Sequence, residues 1–438
     1  MLVTSLLGCL PAHAGSATPA DIATAQAASS ASGLLLGKFP GESTYDKIWS
    51  AATLYKDASN PILQEFSLQG QLQVQYATGD SEDGHFDIED FKNGSAANRQ
   101  SVWDDHFEAR RARFGFNSKW YQYWNLQGTM DVDTTEGASN LYRDIYELYL
   151  TYAPSNAFNV SVGKIEVKFG REYEISAKEI VTFERGLVSN LFFPGELTGA
   201  WATGKGIAGH WFYQLGVYGN DRAREFSSFD QGAIILGKIG YDYAAQAGLE
   251  KAAVSFQYLH NTEPGYKEQD DDNFYASSSP SFTDCLALTN DITQGRFELT
   301  TDILYGFGFD GNAEQAGTSK AIHQSDVFGI SIIPSYFIAE KLQLVGRFQW
   351  ATSGDVAAGT TNLGLPNRYE KWAPNVIPNG DNYTSFYLGL NYYLYGNKLK
   401  IMNGIEYSMM DGGIANPGKN QTATYDGYTF VSGLRFYF

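Results

Sequence analysis

The 438-residue chain carries a formal net charge of −18 and is 15% aromatic, with 29 Tyr, 28 Phe and 46 Gly, yet only 18% of its residues are charged. This surplus of acid argues against a nucleic-acid partner, because phosphate contacts need clustered Lys and Arg. No long apolar run follows the N-terminal stretch, which excludes a helical membrane span and leaves open a barrel that crosses with alternating strands.

The opening run "MLVTSLLGCLPAHAGSA" reads as a secretory signal over residues 1–14, with Ala12-His13-Ala14 as the small-residue cleavage site. It lacks a basic n-region, so the true start is expected upstream. The alternative is a lipoprotein signal, Leu6-Leu7-Gly8-Cys9, with lipid on Cys9. After cleavage Cys285 is the single cysteine, so no intrachain disulfide can form. Residues 15–65 form an N-terminal segment expected on the periplasmic side. Within it "STYDKIWSAATLYKD" predicts a short amphipathic helix, because Tyr45, Ile48, Trp49, Ala52 and Tyr55 share one face.

From Phe66 the apolar period changes to two. In "FSLQGQLQVQY" Phe66, Leu68, Leu72, Val74 and Tyr76 fall on one face and Ser67, Gln69, Gln71, Gln73 and Gln75 on the other. Taken singly, this segment fits a sandwich as well as a membrane barrel. Strands are expected near 66–76, 107–118, 124–133, 144–152, 158–166, 199–208, 211–219, 231–241, 249–259, 281–289, 295–307, 326–336, 341–351, 383–394, 398–409 and 428–438. That makes sixteen, with fourteen and eighteen as the neighbouring even counts; "SFTDCLALT" is the weakest member. Long connections (77–106, 134–143, 167–198, 220–230, 260–280, 308–325, 352–382, 410–427) alternate with short turns such as Gly209-His210 and Gly396-Asn397. This asymmetry is that of an all-β, 16-stranded antiparallel transmembrane β-barrel over residues 66–438.

Aromatics cluster beside the short turns, at Trp120, Tyr121, Tyr123 and Trp124, at Tyr392, Tyr393 and Tyr395, and at Phe436, Tyr437 and Phe438. They are expected to form a girdle at headgroup level, although β-propensity alone accounts for any one cluster. Two acidic stretches, Asp80 to Asp90 and Glu263 to Asp272, read as solvated loops or as carboxylates bridged by divalent cations to anionic headgroups.

A barrel of this width encloses an aqueous channel. Projection from the lipid-facing side turns Arg111, Arg113, Arg296, Lys341, Gln343, Arg347, Gln349 and Arg435 inward, with Asp131, Asp133, Glu147, Glu298 and Glu406. The basic members are candidate anion guides; lumenal ion pairs that merely solvate the wall are the alternative. Connection 167–198 is too long to be passive. Lys168, Arg171, Lys178 and Arg185 alternate there with Glu172, Glu174, Glu179 and Glu184, while Val181, Phe183, Leu187, Leu191, Phe192 and Phe193 can pack it against the wall. Folded inward it is a constriction that concentrates the field of its charges; folded outward it is a flap.

The run "RRARFGFNSKWYQYWNLQGTMDVD" and the following "DIYELYLTYAPSNAFNVSVGKIEVKFGREYEISAKEIVTFERGLVSNLFFPG" resemble the phosphate-selective porin O and P family. The shared features are a paired-arginine strand, an Asp-x-Tyr strand, a V-G-x-x-x-x-x-F-G strand end, and a loop with Glu-Arg that closes on F-x-P-G. The resemblance implies a trimeric sixteen-stranded barrel of the bacterial outer membrane, with the third extracellular loop folded into the pore and anions guided by lumenal bases. Arg111, Arg113 and Arg185 match the family pattern. The chain departs from it in balancing four bases against four acids across 168–185.

The expected function is passive diffusion of small anionic or neutral hydrophilic solutes, with lipid or lipopolysaccharide around the wall and no cofactor, metal or nucleic acid. A surface or adhesion protein without a channel is the second reading. An enzyme is the third; His13, His85, His106, His210, His260 and His323 show no metal spacing.

Overall fold

The computed structural model describes residues 44–80, 106–134, 141–227, 229, 232–264, 267–269, 275–277, 282–315, 318–354, 360–361, 363, 380–416 and 421–438. The signal, residues 15–43, the acidic stretch beyond Asp80 and Asp270 to Asp272 lie outside them.

Sixteen antiparallel strands close into one ring. The first half comprises β1 (Leu63–Asp80), β2 (His106–Trp120), β3 (Trp124–Val132), β4 (Tyr142–Ser155), β5 (Phe158–Val167), β6 (Gly195–Ile207), β7 (Trp211–Gly219) and β8 (Ala233–Asp242). The second comprises β9 (Lys251–Asn261), β10 (Asp284–Gln294), β11 (Phe297–Phe307), β12 (Val327–Ala339), β13 (Leu342–Ser353), β14 (Asn382–Tyr395), β15 (Leu399–Asn416) and β16 (Gln421–Tyr437). Each pairs with its sequence neighbour, and β16 returns to β1 from Gln71↔Tyr437 to Asp80↔Tyr428. Closure removes the edges that an open sheet would leave unpaired. Phe438 and Gly70 add two backbone hydrogen bonds, of 3.0 and 3.1 Å, below that seam.

The faces are inverted relative to a globular barrel. Val160, Val162, Leu215, Val217, Phe386, Leu388 and Leu390 alternate along the outer surface and are exposed, whereas Gln71, Gln73, Gln75, Gln257, Gln343, Gln349, Lys400 and Arg435 are buried inside. This apolar-out, polar-in alternation is that of a membrane barrel with a polar lumen.

The N-terminal helix is shorter than its apolar spacing suggests. Helix α1 spans Thr44–Ser50, and Thr53–Lys56 is a strand pairing antiparallel with β1 at Ser67 to Glu65. The β-prone run Thr-Leu-Tyr takes ladder bonds at the seam in place of another helical turn. Trp49 anchors the segment, its Nε1 donating to the Tyr437 carbonyl at 2.6 Å while its ring packs on Tyr395 and Phe436.

The tenth strand begins and ends later than expected, at Asp284–Gln294. Connection 410–427 is mostly ladder, because β15 and β16 remain paired as far as Asn416↔Gln421. Within 308–325 the strands Phe309–Gln315 and Thr318–Gln324 form a hairpin.

Candidate functional site

Residues 168–194, joining β5 to β6, fold into the lumen and dock on the far wall. The turn into the loop requires glycine: Gly170 has φ +81°, a region that L side chains rarely adopt. Its N–H donates to Gln257 Oε1 at 3.0 Å. The Asp302 carboxylate on β11 then accepts the N–H groups of Arg171 (2.6 Å) and Glu172 (2.9 Å), which open the short helix α2 (Arg171–Glu174).

Two carboxylates latch the loop, Glu172 buried and Glu184 partly buried. Glu172, 1% exposed, accepts from Thr182, Gly186, Ser189 and Arg347 Nη1, the last at 3.1 Å. Arg347 also donates to the Glu184 carbonyl at 2.6 Å and, with Nη2, to both Glu406 oxygens at 3.0 and 3.1 Å. Glu184 receives a bidentate Arg111 at 3.0 and 3.1 Å, with Arg110 at 3.2 Å and Arg435 at 3.6 Å. Burial pushes the Glu184 carboxyl up, but Arg110, Arg111 and Arg435 outweigh it and hold the group well below the usual carboxylate range.

Wall side chains also seize loop carbonyls. Gln73 takes that of Ala177 (3.0 Å), Lys400 that of Ile180 (2.8 Å), Asn391 that of Val181 (2.7 Å) and Arg435 that of Phe183 (3.0 Å). The apolar side of the loop, Phe169, Phe183, Leu187, Val188 and Phe192, buries against Phe282, Leu304, Val327 and Tyr387. Gly329 supplies the room for Val188, since a Cβ there would lie 2.9 Å from Val188 Cγ1. One side of the lumen is therefore filled, and the open space lies against β1–β5.

Among the described residues two chambers open there. The one toward the long connections has about 330 Å³ and is lined by Arg110, Arg111, Lys164, Arg185, Arg222, Arg224 and their neighbours. The one toward the short turns has about 200 Å³ and is lined by Gln69, Gln71, Gln127, Glu147, Lys168 and Lys178 among others. Arg113, Tyr146 and Glu166 line both and so stand between the two chambers. Arg113 pairs with Asp131 at 2.5 Å and its guanidinium lies 3.2 Å from the Tyr146 ring centre. Glu166 stands 3.6 Å from Arg185 Nη1 and 4.0 Å from Lys168 Nζ. Burial lowers the basicity of Lys178, with Glu147 opposing.

Local breaks in the strand rhythm crowd side chains onto this level. Gln73 pairs with Arg111 and Val74 with Ala109, so Arg110 is an extra, bulged residue and joins Arg111 on Glu184. Thr129 pairs with Glu147 and Met130 with Ile145, which leaves Tyr146 bulged and brings both Tyr146 and Glu147 to the lumen. In β5, Gly163 at φ +136° interrupts the alternation. Ser161 and Lys164, three positions apart, both point inward, to Thr151 and to the carbonyls of Ala223 and Arg224. Bulges of this kind re-aim side chains at functional rims.

Of the residues expected to face inward, Arg111, Arg113, Arg347, Arg435, Gln343, Gln349, Asp131, Glu147, Glu298 and Glu406 do so. Arg296 does not: it sits exposed in the two-residue turn between β10 and β11. Lys341 likewise belongs to the turn before β13. In both cases the two-residue rhythm was extended past the end of the ladder. On the loop, Arg171 bridges Glu174 (3.5 Å) and Asp291 (3.1 Å), and Glu174 also holds Lys238. Lys168 and Lys178 face the smaller chamber and Arg185 the larger, while Glu179 follows Lys178 on the loop. Arg110, Arg143, Lys164, Arg222 and Arg224 line the larger chamber although alternation and loop length did not single them out.

The family model of phosphate-selective porins O and P matches residues 83–260. Over that stretch the chain is similar to this porin family. The matched segment holds the paired arginines, the bulged strands and the inward loop. No curated protein sequence matches the chain. Among solved structures, the chain is similar to OmpF of Salmonella typhi (TM-score 0.53, 10% identity, 88% of this chain and 100% of that one). It is also similar to the outer-membrane channel DcaP of Acinetobacter baumannii (0.51, 13%, 87% and 99%). An anion-selective porin from Comamonas acidovorans matches with 0.50 and 10%, over 85% and 99%. At these identities the likeness shows the barrel fold. The family match and the fold together give a passive diffusion channel of the bacterial outer membrane.

Proposed function

We propose that this porin is an anion-biased channel for small hydrophilic solutes, with its bias set by the larger chamber. One observation carries the bias. The larger chamber is lined by eight guanidinium or ammonium groups against four carboxylates, in a chain whose net charge is −18. Two of those cations are occupied by neutral partners: Lys164 donates to the carbonyls of Ala223 (2.8 Å) and Arg224 (3.0 Å), and Arg222 to those of Phe193 and Pro194. Neither has an ion pair among the described residues, so their charge acts on whatever enters. Low-dielectric walls focus such a field and raise the local anion concentration. At the junction Arg113 is already neutralised by Asp131 and Arg185 faces Glu166, which favours passage over tight retention. This reading assigns no chemistry to the protein.

In a potassium chloride gradient the reconstituted channel should reverse on the anion side, and Lys164→Gln with Arg222→Gln should reduce the anion-to-cation permeability ratio by about threefold or more. A cation-side reversal, or no ohmic current, would sink the reading.

Residues 1–14 as a cleaved leader, lipopolysaccharide contact along the exposed apolar band, and a homotrimer belong to the same proposal. The trimer rests on the family resemblance; the mass of the detergent-solubilised assembly should be three times that of one chain, and a monomeric mass would remove it.

A further inference from the structure

We propose that Glu166 is the selectivity-determining residue of the pore, a tethered carboxylate occupying the position that each passing oxyanion must share. The inference deepens the anion-biased reading and rests on it.

Three observations converge on Glu166. It lines both chambers and stands between them. Around it stand the cations an anion would use: Arg185 at 3.6 Å and Lys168 at 4.0 Å, with Arg113 stacked on the Tyr146 ring that lines both chambers beside it. Its cations also stay beyond hydrogen-bonding distance, in contrast to the latching carboxylates Glu172 and Glu184, which receive guanidinium N–H groups at 3.0–3.1 Å. Glu172 and Glu184 consume their arginines, whereas Glu166 only screens Arg185 and Lys168.

Arg185 strengthens the point. Its Nη2 is fixed to the Ile175 carbonyl at 2.8 Å and its plane lies over Tyr173, 4.2 Å from the ring centre. Its Nε, buried, has no hydrogen-bond partner among the described residues, and a buried donor left unpaired is costly. A fixed guanidinium with one unused donor, beside a carboxylate too far away to take it, is an anion position filled loosely by the protein's own group. With Glu166 in place, an oxyanion competes with a tethered counter-ion and leaves quickly. Without it, the same cations would hold the oxyanion.

The test compares the parent channel, Glu166→Gln and Glu147→Gln, each as the full chain in planar bilayers. Glu147 lines only the smaller chamber and serves as the carboxylate control. For Glu166→Gln the anion-to-cation permeability ratio should rise about threefold or more above the parent, and millimolar inorganic phosphate should block its chloride current. The parent and Glu147→Gln should stay unblocked. If the ratio for Glu166→Gln matches the parent, if phosphate fails to block it, or if Glu147→Gln behaves the same way, the role of Glu166 is overturned. A parent that prefers cations would instead defeat the anion-biased reading itself. Should Glu166→Gln fail to assemble, Glu166→Asp, which draws the charge back by one methylene, should shift the ratio in the same direction by less, and an unchanged ratio there overturns the role equally.

Discussion

Replacing Arg347 by alanine should raise the unitary conductance about twofold or more and replace a steady current by a flickering one, because this guanidinium joins the constriction loop to the wall. It bonds Glu172 and the Glu184 carbonyl on the loop, and Glu406 on β15. Truncation leaves Glu172 and Glu406 buried without their cation, and removing one partner of a buried pair typically costs about 3–5 kcal/mol. That exceeds what the remaining contacts supply individually, since a hydrogen bond to a carbonyl contributes about 1 kcal/mol net from an amide such as Asn391 and about 1.5–3 kcal/mol from a charged donor such as Lys400. The barrel ladder does not depend on Arg347, so the variant should still insert and migrate as a folded barrel. A triple change, Arg347→Met with Glu172→Gln and Glu406→Gln, should return the conductance toward the parent value, because it removes the orphaned charges along with the pair. An Arg347→Ala channel with parental conductance would show that the apolar contacts of Phe183, Leu187 and Phe192 hold the loop by themselves.

The wall was legible in the sequence because its determinants are local. A two-residue rhythm puts Gln71, Gln73 and Gln75 inside and Leu72 outside whatever the rest of the chain does, and the alternation of long and short connections brings the strand count to sixteen. Arg111, Arg113, Arg347 and Arg435 came from the same parity. The constriction was less legible because it is built where parity fails. Arg110 and Tyr146 are bulged residues, each facing the lumen beside an immediate neighbour that also does, and Lys164 follows a glycine at positive φ and faces the lumen three positions after Ser161. The glycines of the V-G-x-x-x-x-x-F-G motif were visible as residues, but their backbone angles were not. At Gly163 an added Cβ would lie 2.2 Å from the Leu148 carbonyl oxygen, which explains the residue without making the phase change readable beforehand. Arg296 shows the opposite failure, parity carried into a turn. Which carboxylate neutralises which arginine was not readable at all, because Glu172 and Glu184 reach Arg347 and Arg111 only after a loop has crossed the lumen.

Acid should open the channel late, and the onset should move toward neutral pH when Arg110 and Arg111 are both changed to Gln. Glu184 is the group concerned. Its carboxyl in the folded protein lies below the ordinary value, since three guanidinium groups outweigh its burial. A lowered folded-state value means that the docking energy from Glu184 is fully present above the ordinary glutamate value of about 4.3 and is lost as pH falls from there through the folded-state value. Conductance should therefore hold steady from pH 7 to about pH 5 and rise only in stronger acid. In the double variant Arg435, 3.6 Å away, is the remaining ion-pair partner, and burial then dominates. The carboxyl rises, and loop release should begin at least about one pH unit earlier. Single-channel conductance against pH for parent and double variant measures both onsets. Coincident onsets would mean that the acid response belongs to other carboxylates, and a parent that opens between pH 7 and 5 would contradict the three-arginine clamp.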